Sequence, residues 1–362
     1  MNRILTSLLI LTLAVACAKT EVQYEPAGEI SFAPVSKPST KAALVGTGYP
    51  ADLNLYIFAK AGLPGAAVPA GFGEPYFANA LFMHTSKGVF SGVPSHYWPN
   101  VKQLMLSGVS ASGNISSLVN AASLRYEMND YNVESTTVQK LEIEIGGYSP
   151  GDGRDNVGVN DLMWFPTTGP HGKTTAAINV EMQHACAWVT INIIGDSVTG
   201  VEDDPNTQAN EATTWKVTNV KFNEISLKGD VVLGETAKWS NLNEVTKTIY
   251  GTTDDHPDGH PLTLDYVDYT KIGDYNDLIV IPQPTRTLTI EYKYVSQKGG
   301  GPNGTDIVIT ETKDIPLKYN DADDPWRAGV HYTYNILIGT KEILVQPTTT
   351  DWDPVTVPSV SL

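Results

Sequence analysis

The chain has 362 residues, of which 31 are Gly and 23 are Pro, and 18% of the residues are charged and 41% hydrophobic. This balance excludes a disordered, collagen-like or polytopic membrane protein, and the length suits two domains of ordinary size, with one or three domains as alternatives. The 40 acidic and 24 basic residues give a net charge of −16 without a basic stripe, which argues against nucleic acid as a partner.

Residues 1–17 have the organisation of a bacterial export signal. Arg3 supplies one positive charge, and the apolar run that follows is too short to span a bilayer. Small residues then lead to Cys17, as in a lipobox, although Ala14 stands where Leu is commoner. We therefore predict a lipoprotein signal peptide, cut before Cys17, whose thiol is acylated. An ordinary export signal with an incidental cysteine is the alternative.

Beyond the signal, short runs of β-branched and aromatic residues alternate with clusters of Gly, Pro, Asn and Asp, a pattern typical of an all-β protein. The predicted strands are, in chain order, 29–35, 52–60, 103–109, 140–146, 177–183, 187–194, 215–227, 277–284, 287–295, 306–317, 331–339 and 342–347. Alternation within 287–295 predicts one shared face for Leu288, Ile290, Tyr292 and Tyr294. A single short helix is predicted at 115–122.

The turn-rich stretch 148–175 lies near the middle of the chain and indicates a domain boundary there or just after it. We predict an N-terminal β domain that ends near residue 176 and a C-terminal β domain at 177–362. Several short strands in each half favour β-sandwiches with Greek-key connections.

Sequence patterns for catalysis and nucleotide binding are missing or incomplete. The segment TTGPHGKTT (167–175) has Thr167 in place of the first Gly of a phosphate-binding loop, and Pro170 removes an N–H from the cradle. Cys186 lies next to an apolar run, which favours a small buried hydrophobe over a nucleophile. Glu142 and Glu144 alternate along one strand, and we predict an exposed strand edge rather than a glycosidase pair.

Two acidic clusters are candidates for metal sites. Asp254, Asp255, His256, Asp258 and His260 lie within seven residues, but their spacing matches no zinc or calcium motif, so a solvated turn is the preferred interpretation. The cluster at 320–324 also lacks EF-hand order and is predicted to link two strands. The sequence thus predicts no enzyme, no catalytic residue, no metal site and no cofactor.

A set of segments, in a characteristic order, spans nearly the whole chain. They are the lipobox at Cys17, EISFAPV followed by KPSTKAAL, DLNLYIFAKAG, NDLMWFPTTG with MQHACAWVTINI, IPQP before LTIEYKYV, and WRAGVHYTYNIL followed by DWDP. Together they resemble the fimbrillins, the lipoprotein precursors of type V pilins in Bacteroidota. The resemblance implies an all-β fold of two transthyretin-like Greek-key β-sandwich domains in tandem.

The resemblance also implies proteolytic processing after a basic residue near the start of the N-terminal domain. The matching position is Lys41 followed by Ala42, with Lys where many relatives have Arg. A propeptide at 18–41 would then leave the domain at 42–176, and the lost first strand would include Ile30 and Phe32.

A sandwich that lacks one strand exposes unpaired backbone and an apolar groove, which a strand from a neighbouring subunit fills by donor-strand exchange. The candidate donor strand is 342–362. Its alternating apolar residues are Ile343, Val345, Val355, Val357, Val360 and Leu362. Whether this segment pairs with its own chain or with a neighbour is left open by the sequence.

The predicted function is therefore that of a fimbrillin-like pilus subunit for cell adhesion, located first as an outer-membrane lipoprotein and then in the cell-surface fimbrium. Its expected partners are other fimbrillin-like subunits, the outer membrane through the lipid before processing, and a host or bacterial surface receptor or glycan. Shaft, tip and anchor roles all stay open. The alternative is a tethered outer-surface lipoprotein that binds glycan through aromatics such as Tyr97 and Trp98.

Overall fold

The computed structural model describes residues 28–36, 54–65, 72, 74–86, 88–111, 115–128, 137–150, 161–195, 213–262, 267–268, 278–296, 307–319, 325–339 and 343–351. Regular structure within these ranges is β-strand, apart from one 3₁₀ turn at Ser116–Leu118. The all-β prediction is confirmed. No helix among the described residues is long and apolar enough to cross a bilayer.

The first half of the chain supplies nine strands. They are β1 (Ser31–Ser36), β2 (Asn54–Gly62), β3 (Glu74–Ser86), β4 (Val89–Gly92), β5 (Gln103–Ala111), β6 (Val119–Met128), β7 (Thr137–Tyr148), β8 (Met163–His171) and β9 (Ile178–His184). Seven of them form a closed sheet in the order β1-β4-β3-β2-β5-β8-β9. A closed sheet has no free edge while every strand is in place.

The second half of the chain contributes ten further strands. They are β10 (Ala187–Gly195), β11 (Thr213–Leu233), β12 (Ala237–Gly251), β13 (His260–Pro261), β14 (Val267–Asp268), β15 (Leu278–Val280), β16 (Thr287–Ser296), β17 (Ile307–Pro316), β18 (Val330–Ile338) and β19 (Ile343–Asp351). One sheet has the order β14-β10-β18-β19, with β15 also on β10. The other has the order β17-β16-β11-β7-β6, with β12 and β13 also on β11.

Strand β11 is long enough to connect the two halves. Its first part pairs with β16, and its last part, Gly229 to Leu233, pairs with β7 from the first half of the chain. One sheet therefore contains strands from both sides of the domain boundary that we predicted near residue 176. That boundary stays a prediction.

Buried apolar side chains form three clusters. One fills the closed sheet, one lies between the two sheets of the second half, and the third joins the two regions. The predicted alternation in β16 is confirmed, because Leu288, Ile290 and Tyr292 are buried and Tyr294 packs against the same cluster.

Two local predictions are wrong. The helix expected at 115–122 is the 3₁₀ turn followed by β6, since pairing with β7 outweighs the helix preference of Ala. Glu142, expected on an exposed edge, is only 6% exposed because β7 lies between β6 and β11.

Candidate functional site

Strand β1 closes the N-terminal sheet. It pairs antiparallel with β4 through Ser31 and Phe32 and parallel with β9 from Phe32 to Ser36. Among the described strands β4 and β9 do not pair with each other, so β1 is the strand that joins them. Taking out β1 would open the sheet and leave both neighbours with unpaired backbone groups.

The side chains of the β1 segment fill the interior of the closed sheet. Ile30 and Phe32 are fully buried. The ring of Phe32 meets that of Phe82 edge-on, with centroids 4.9 Å apart, and lies 6.3 Å from Phe165. Burial of two such side chains contributes on the order of 3–6 kcal/mol. Loss of β1 would therefore leave an apolar groove of matching shape.

Next to β1 runs a short segment that we call the arm, residues 94–98. The Ile30 N–H donates to the His96 carbonyl at 2.8 Å, and the Trp98 N–H donates to the Gly28 carbonyl at 3.0 Å. Trp98 is 2% exposed and belongs to the core of the closed sheet. The arm thus depends on residues 28–30 for its backbone partners.

The burial of Trp98 supports the interpretation that its sequence context favours, a core or loop-anchoring tryptophan, and removes this residue from the glycan-binding alternative. The sequence offers Trp98 as a stacking platform for a sugar ring, but its side chain is packed in the core and has no free face to offer. Its neighbour Tyr97 is 51% exposed, and the Tyr97 carbonyl accepts a hydrogen bond of 2.6 Å from the Tyr76 hydroxyl.

The predicted donor segment begins in β19. Residues Ile343 to Asp351 pair antiparallel with β18 of the same chain over nine residues. Ile343 and Val345 are partly buried against the C-terminal core, whereas Leu344 is 42% exposed. Among the described strands β19 pairs with β18 alone, so its outer edge is open.

Two segments far apart in the chain, one at β1 and one at β19, share a sequence pattern. EISFAP at 29–34 and EILVQP at 342–347 have Glu, Ile and Pro at the same three positions, with Phe32 matched by Val345. Ile30 and Phe32 in one segment, and Ile343 and Val345 in the other, are two positions apart on one face, and a proline follows two positions later; Leu344 between the second pair is also apolar but points to the exposed side. The two strands can therefore present similar side chains to one groove.

Several predicted site residues fall outside the described residues. They are Cys17, Lys41, Ala42, Val355, Val357, Val360 and Leu362. Lipidation, processing and the last part of the candidate donor strand accordingly stay predictions. The acidic cluster at 320–324 also lies outside the described residues.

A buried acid–base pair lies where the closed sheet meets the second half of the chain. Asp161 Oδ2 and His184 Nδ1 are 2.5 Å apart, and both side chains are buried. Desolvation raises the pKa of Asp161, although the nearby His184 acts in the opposite direction. Sequence reasoning missed this pair because its members lie 23 positions apart and belong to no motif.

Cys186 lies close to this pair and is fully buried. Desolvation, and secondarily the charge of Asp161, raise the pKa of its thiol well above the usual range. A thiol that stays protonated is a poor nucleophile. The prediction that Cys186 is a small buried hydrophobe is confirmed.

The loop with the predicted solvated turn is open to solvent. Asp254, Asp255 and Asp258 are exposed, and the rings of His256 and His260 lie 4.6 Å apart. Within the described part of the chain, no group of three or more His, Cys, Asp or Glu side chains is arranged to hold a metal ion.

The segment 167–175, which has an incomplete phosphate-loop pattern, begins inside the extended strand β8.

Comparisons with known proteins agree with this architecture. A family model described as Fimbrillin-like matches residues 55–352. A fimbrial protein from Bacteroides vulgatus ATCC 8482 is similar in structure, with 14% identity, a TM-score of 0.57, and coverage of 89% of this chain and 99% of that chain. A fimbrilin from Porphyromonas gingivalis W83 has 12% identity, a TM-score of 0.41, and coverage of 91% and 98%. No curated protein matches the chain.

Proposed function

The chain belongs to the fimbrillin-like family, and on that premise we propose that it is a fimbrial subunit that polymerises by donor-strand exchange and serves cell adhesion. The proposal includes export as an outer-membrane lipoprotein acylated at Cys17 and processing after Lys41. It also includes the finer architecture of two transthyretin-like sandwiches in tandem. The partners are other fimbrillin-like subunits and, before processing, the membrane that holds the lipid.

The observation that carries the proposal is the place of β1 in the closed sheet. With β1 in place the sheet is closed. Without this one short strand it would have two unpaired edges and an apolar groove. Departure of β1 leaves the other six strands of that sheet joined to one another in an unbroken order. A subunit that must stay unreactive until processing needs this combination, because the closed form hides the surface that the open form offers.

The position of the basic residues supports release of the whole strand. Strand β1 ends at Ser36, and Lys37 and Lys41 both follow it. A cut after either lysine separates all of β1 from the rest of the chain. Lys37 is followed by Pro38, whose ring fixes the backbone and removes its N–H, so this bond is a poor substrate for a trypsin-like protease. The bond to Ala42 has no such obstacle and is the one that the family resemblance favours.

The matching patterns of β1 and β19 support a C-terminal donor. A donor that carries Ile, Val and Pro at the positions of Ile30, Phe32 and Pro34 would place its apolar side chains in the same groove. Val355, Val357, Val360 and Leu362 extend the apolar alternation toward the C-terminus. In a monomer the first part of this segment occupies its own domain, on β18.

The processing step is tested by replacing each lysine in its native host. Lys41→Ala should leave lipidated monomer on the cell and no fibres, whereas Lys37→Ala should assemble like the unchanged chain. The measurement is mass spectrometry of the N-terminal peptide in sheared high-molecular-weight material, where Ala42 is the expected first residue.

Two results would change this proposal. Normal fibres from Lys41→Ala whose subunits begin at Pro38 would move the cut to Lys37 and keep the strand-release mechanism. Fibres whose subunits still contain residues 28–36 would refute strand release altogether.

A further inference from the structure

The outer edge of the C-terminal half includes a regular strand. Among the described strands β17 pairs only with β16, and the ten residue pairs between them run without a register shift. Val308 is 54% exposed and Ile309 is 45% exposed. Long, flat edges with exposed apolar side chains are rare in proteins that stay apart, because they accept further strands.

Another edge of the same sheet provides the contrast. Strand β12 pairs with β11 through four register shifts, and Asn241 within it has a φ of 51°. Bulges of this kind twist an edge away from new partners. Strand β12 is thus protected in a way that β17 is not.

The charges of β17 limit which strand fits beside it. Glu311 and Lys313 lie on the same face and form an ion pair of 2.9 Å. The Tyr292 hydroxyl also donates to Glu311 at 2.9 Å, and the hydrogen bond from Lys313 is the main cause of a lowered Glu311 pKa. Glu311 is therefore ionised at neutral pH, and an incoming strand fits best when it has a positive charge opposite Glu311 and a negative charge opposite Lys313.

A second copy of β17 meets this requirement in one antiparallel register. With Thr312 opposite itself, Glu311 of each copy faces Lys313 of the other, and Ile309 faces Ile315. A register centred on Glu311 or on Lys313 would instead put like charges opposite each other, which is destabilising. In an antiparallel pair, a residue whose backbone N–H and C=O face the partner strand lies opposite another such residue. When both strands have the same sequence, the two-fold axis between them must therefore pass through a residue position and not between two residues.

We propose that β17 is a self-association surface, through which two copies of this chain pair antiparallel about Thr312. The contact extends the sheet of one copy into that of the other. It involves neither β1 nor β19, so it is independent of strand exchange and is available to the uncut chain. In a fimbria it would join subunits side by side.

Analytical ultracentrifugation of the purified, uncut chain at 0.15 M salt tests this contact. At this salt concentration the Debye length is about 8 Å, so the net charge of −16 is largely screened at longer range. We expect a reversible dimer. Glu311→Lys and Lys313→Glu, each alone, create two like-charge pairs and should weaken dimerisation by at least about tenfold.

Combining the substitutions gives a sharper test. An equal mixture of the two single variants should form a heterodimer, because each supplies the charges that the other lacks. The double variant E311K/K313E should self-associate like the unchanged chain. Lys238→Glu on β12 is the matched control, since it makes the same charge change on the protected edge and should leave the dimer intact.

Some outcomes would overturn the proposal. A chain that stays monomeric up to its solubility limit has no such contact, and a Lys313→Glu variant that dimerises like the unchanged chain places the contact elsewhere. Failure of both the mixture and the double variant, with unchanged circular dichroism, would refute the register. If the uncut chain is monomeric and the processed chain still forms fibres, the proposal of a β17 contact is wrong and the proposal of strand exchange is unaffected.

Discussion

Strands β1 and β19 have nearly the same sequence pattern and opposite surroundings. In the β1 segment, Ile30 and Phe32 are fully buried between two neighbouring strands. In β19, Ile343 and Val345 are partly buried and, among the described strands, only one neighbour is present. The spacing of apolar residues thus determines which side chains share a face, whereas the number of neighbouring strands determines how deeply they are buried.

This difference suggests a direction for exchange. A donor segment with β19's pattern would have two neighbouring strands in the place of β1, whereas its own domain offers it a single neighbour among the described strands. The free energy that favours exchange would come from a gain in burial and in backbone hydrogen bonds.

The largest effect is expected from removing the end of the donor segment. Deleting Asp351–Leu362 should leave a folded chain, because Ile343 to Thr350 still pair with β18. It should abolish polymerisation, because that pairing holds the remaining part of the segment on its own chain and the apolar positions 355–362 are gone. Electron microscopy and size-exclusion chromatography after processing measure this. The double variant V355S/V357S keeps the chain length and should behave like the deletion, and undiminished assembly of both would refute the donor assignment.

Truncating matched positions in the two strands should have unequal effects on stability. Phe32→Ala removes a fully buried ring and should lower the free energy of unfolding by about 3–5 kcal/mol. Val345→Ala should lower it by about 1 kcal/mol, because the side chain is smaller and only partly buried. Urea denaturation compares them, and equal losses would contradict the contrast in burial.

Release of β1 should uncover Trp98. The arm loses its hydrogen bonds to residues 28–30 once these residues depart, so quenching of tryptophan fluorescence by acrylamide should increase after processing. The variant Trp98→Phe should show little of this increase, since the other described tryptophans lie in or against the two core clusters outside the closed sheet: Trp164, Trp188, Trp215, Trp239 and Trp326. An increase that persists unchanged in Trp98→Phe would assign the change to another region.

The smallest effect concerns the joint between the two regions. Because burial raises the pKa of Asp161 above 3.8, the folded chain holds this proton more tightly than the unfolded chain. The free energy of unfolding should therefore fall as the pH rises from about the pKa of Asp161 in the unfolded chain through its raised pKa in the folded chain. Asp161→Asn should remove this slope, and denaturation midpoints measured across that range would show it. An identical pH slope in the variant would exclude Asp161 as its source.

The sequence predicts strands best where one face is buried. Strand β16 alternates cleanly because one of its faces packs in the core of the second half, whereas β5 and β10 are recognised by their richness in β-branched or apolar residues. Strand β12 escapes prediction because most of its side chains are exposed, so no alternation is imposed on it. Strand β8 escapes it because Pro166, Gly169 and Pro170 suggest a loop, yet its partners β5 and β9 hold it extended.

The candidate site is predictable in part. The apolar alternation identifies Ile30 and Phe32, which need only a local pattern. The arm and the pair Asp161–His184 depend on contacts between distant segments, and no local pattern distinguishes them. Trp98 shows the limit most clearly, because a tryptophan in a turn-like segment gives no sign that a strand from the start of the chain covers it.

The two neighbours of β1 also fix a polarity. Strand β1 runs antiparallel to β4 and parallel to β9, so a replacement that reproduces both ladders must enter in one direction. Under the proposed strand exchange, each subunit would have one vacancy and one donor strand, a head-to-tail contact of the kind that can build an open filament. The two ends of such a filament would differ chemically, because one would end in an empty groove and the other in an unused donor strand. Growth could then be stopped at either end by a different kind of terminal subunit, one without a donor or one that keeps its own β1.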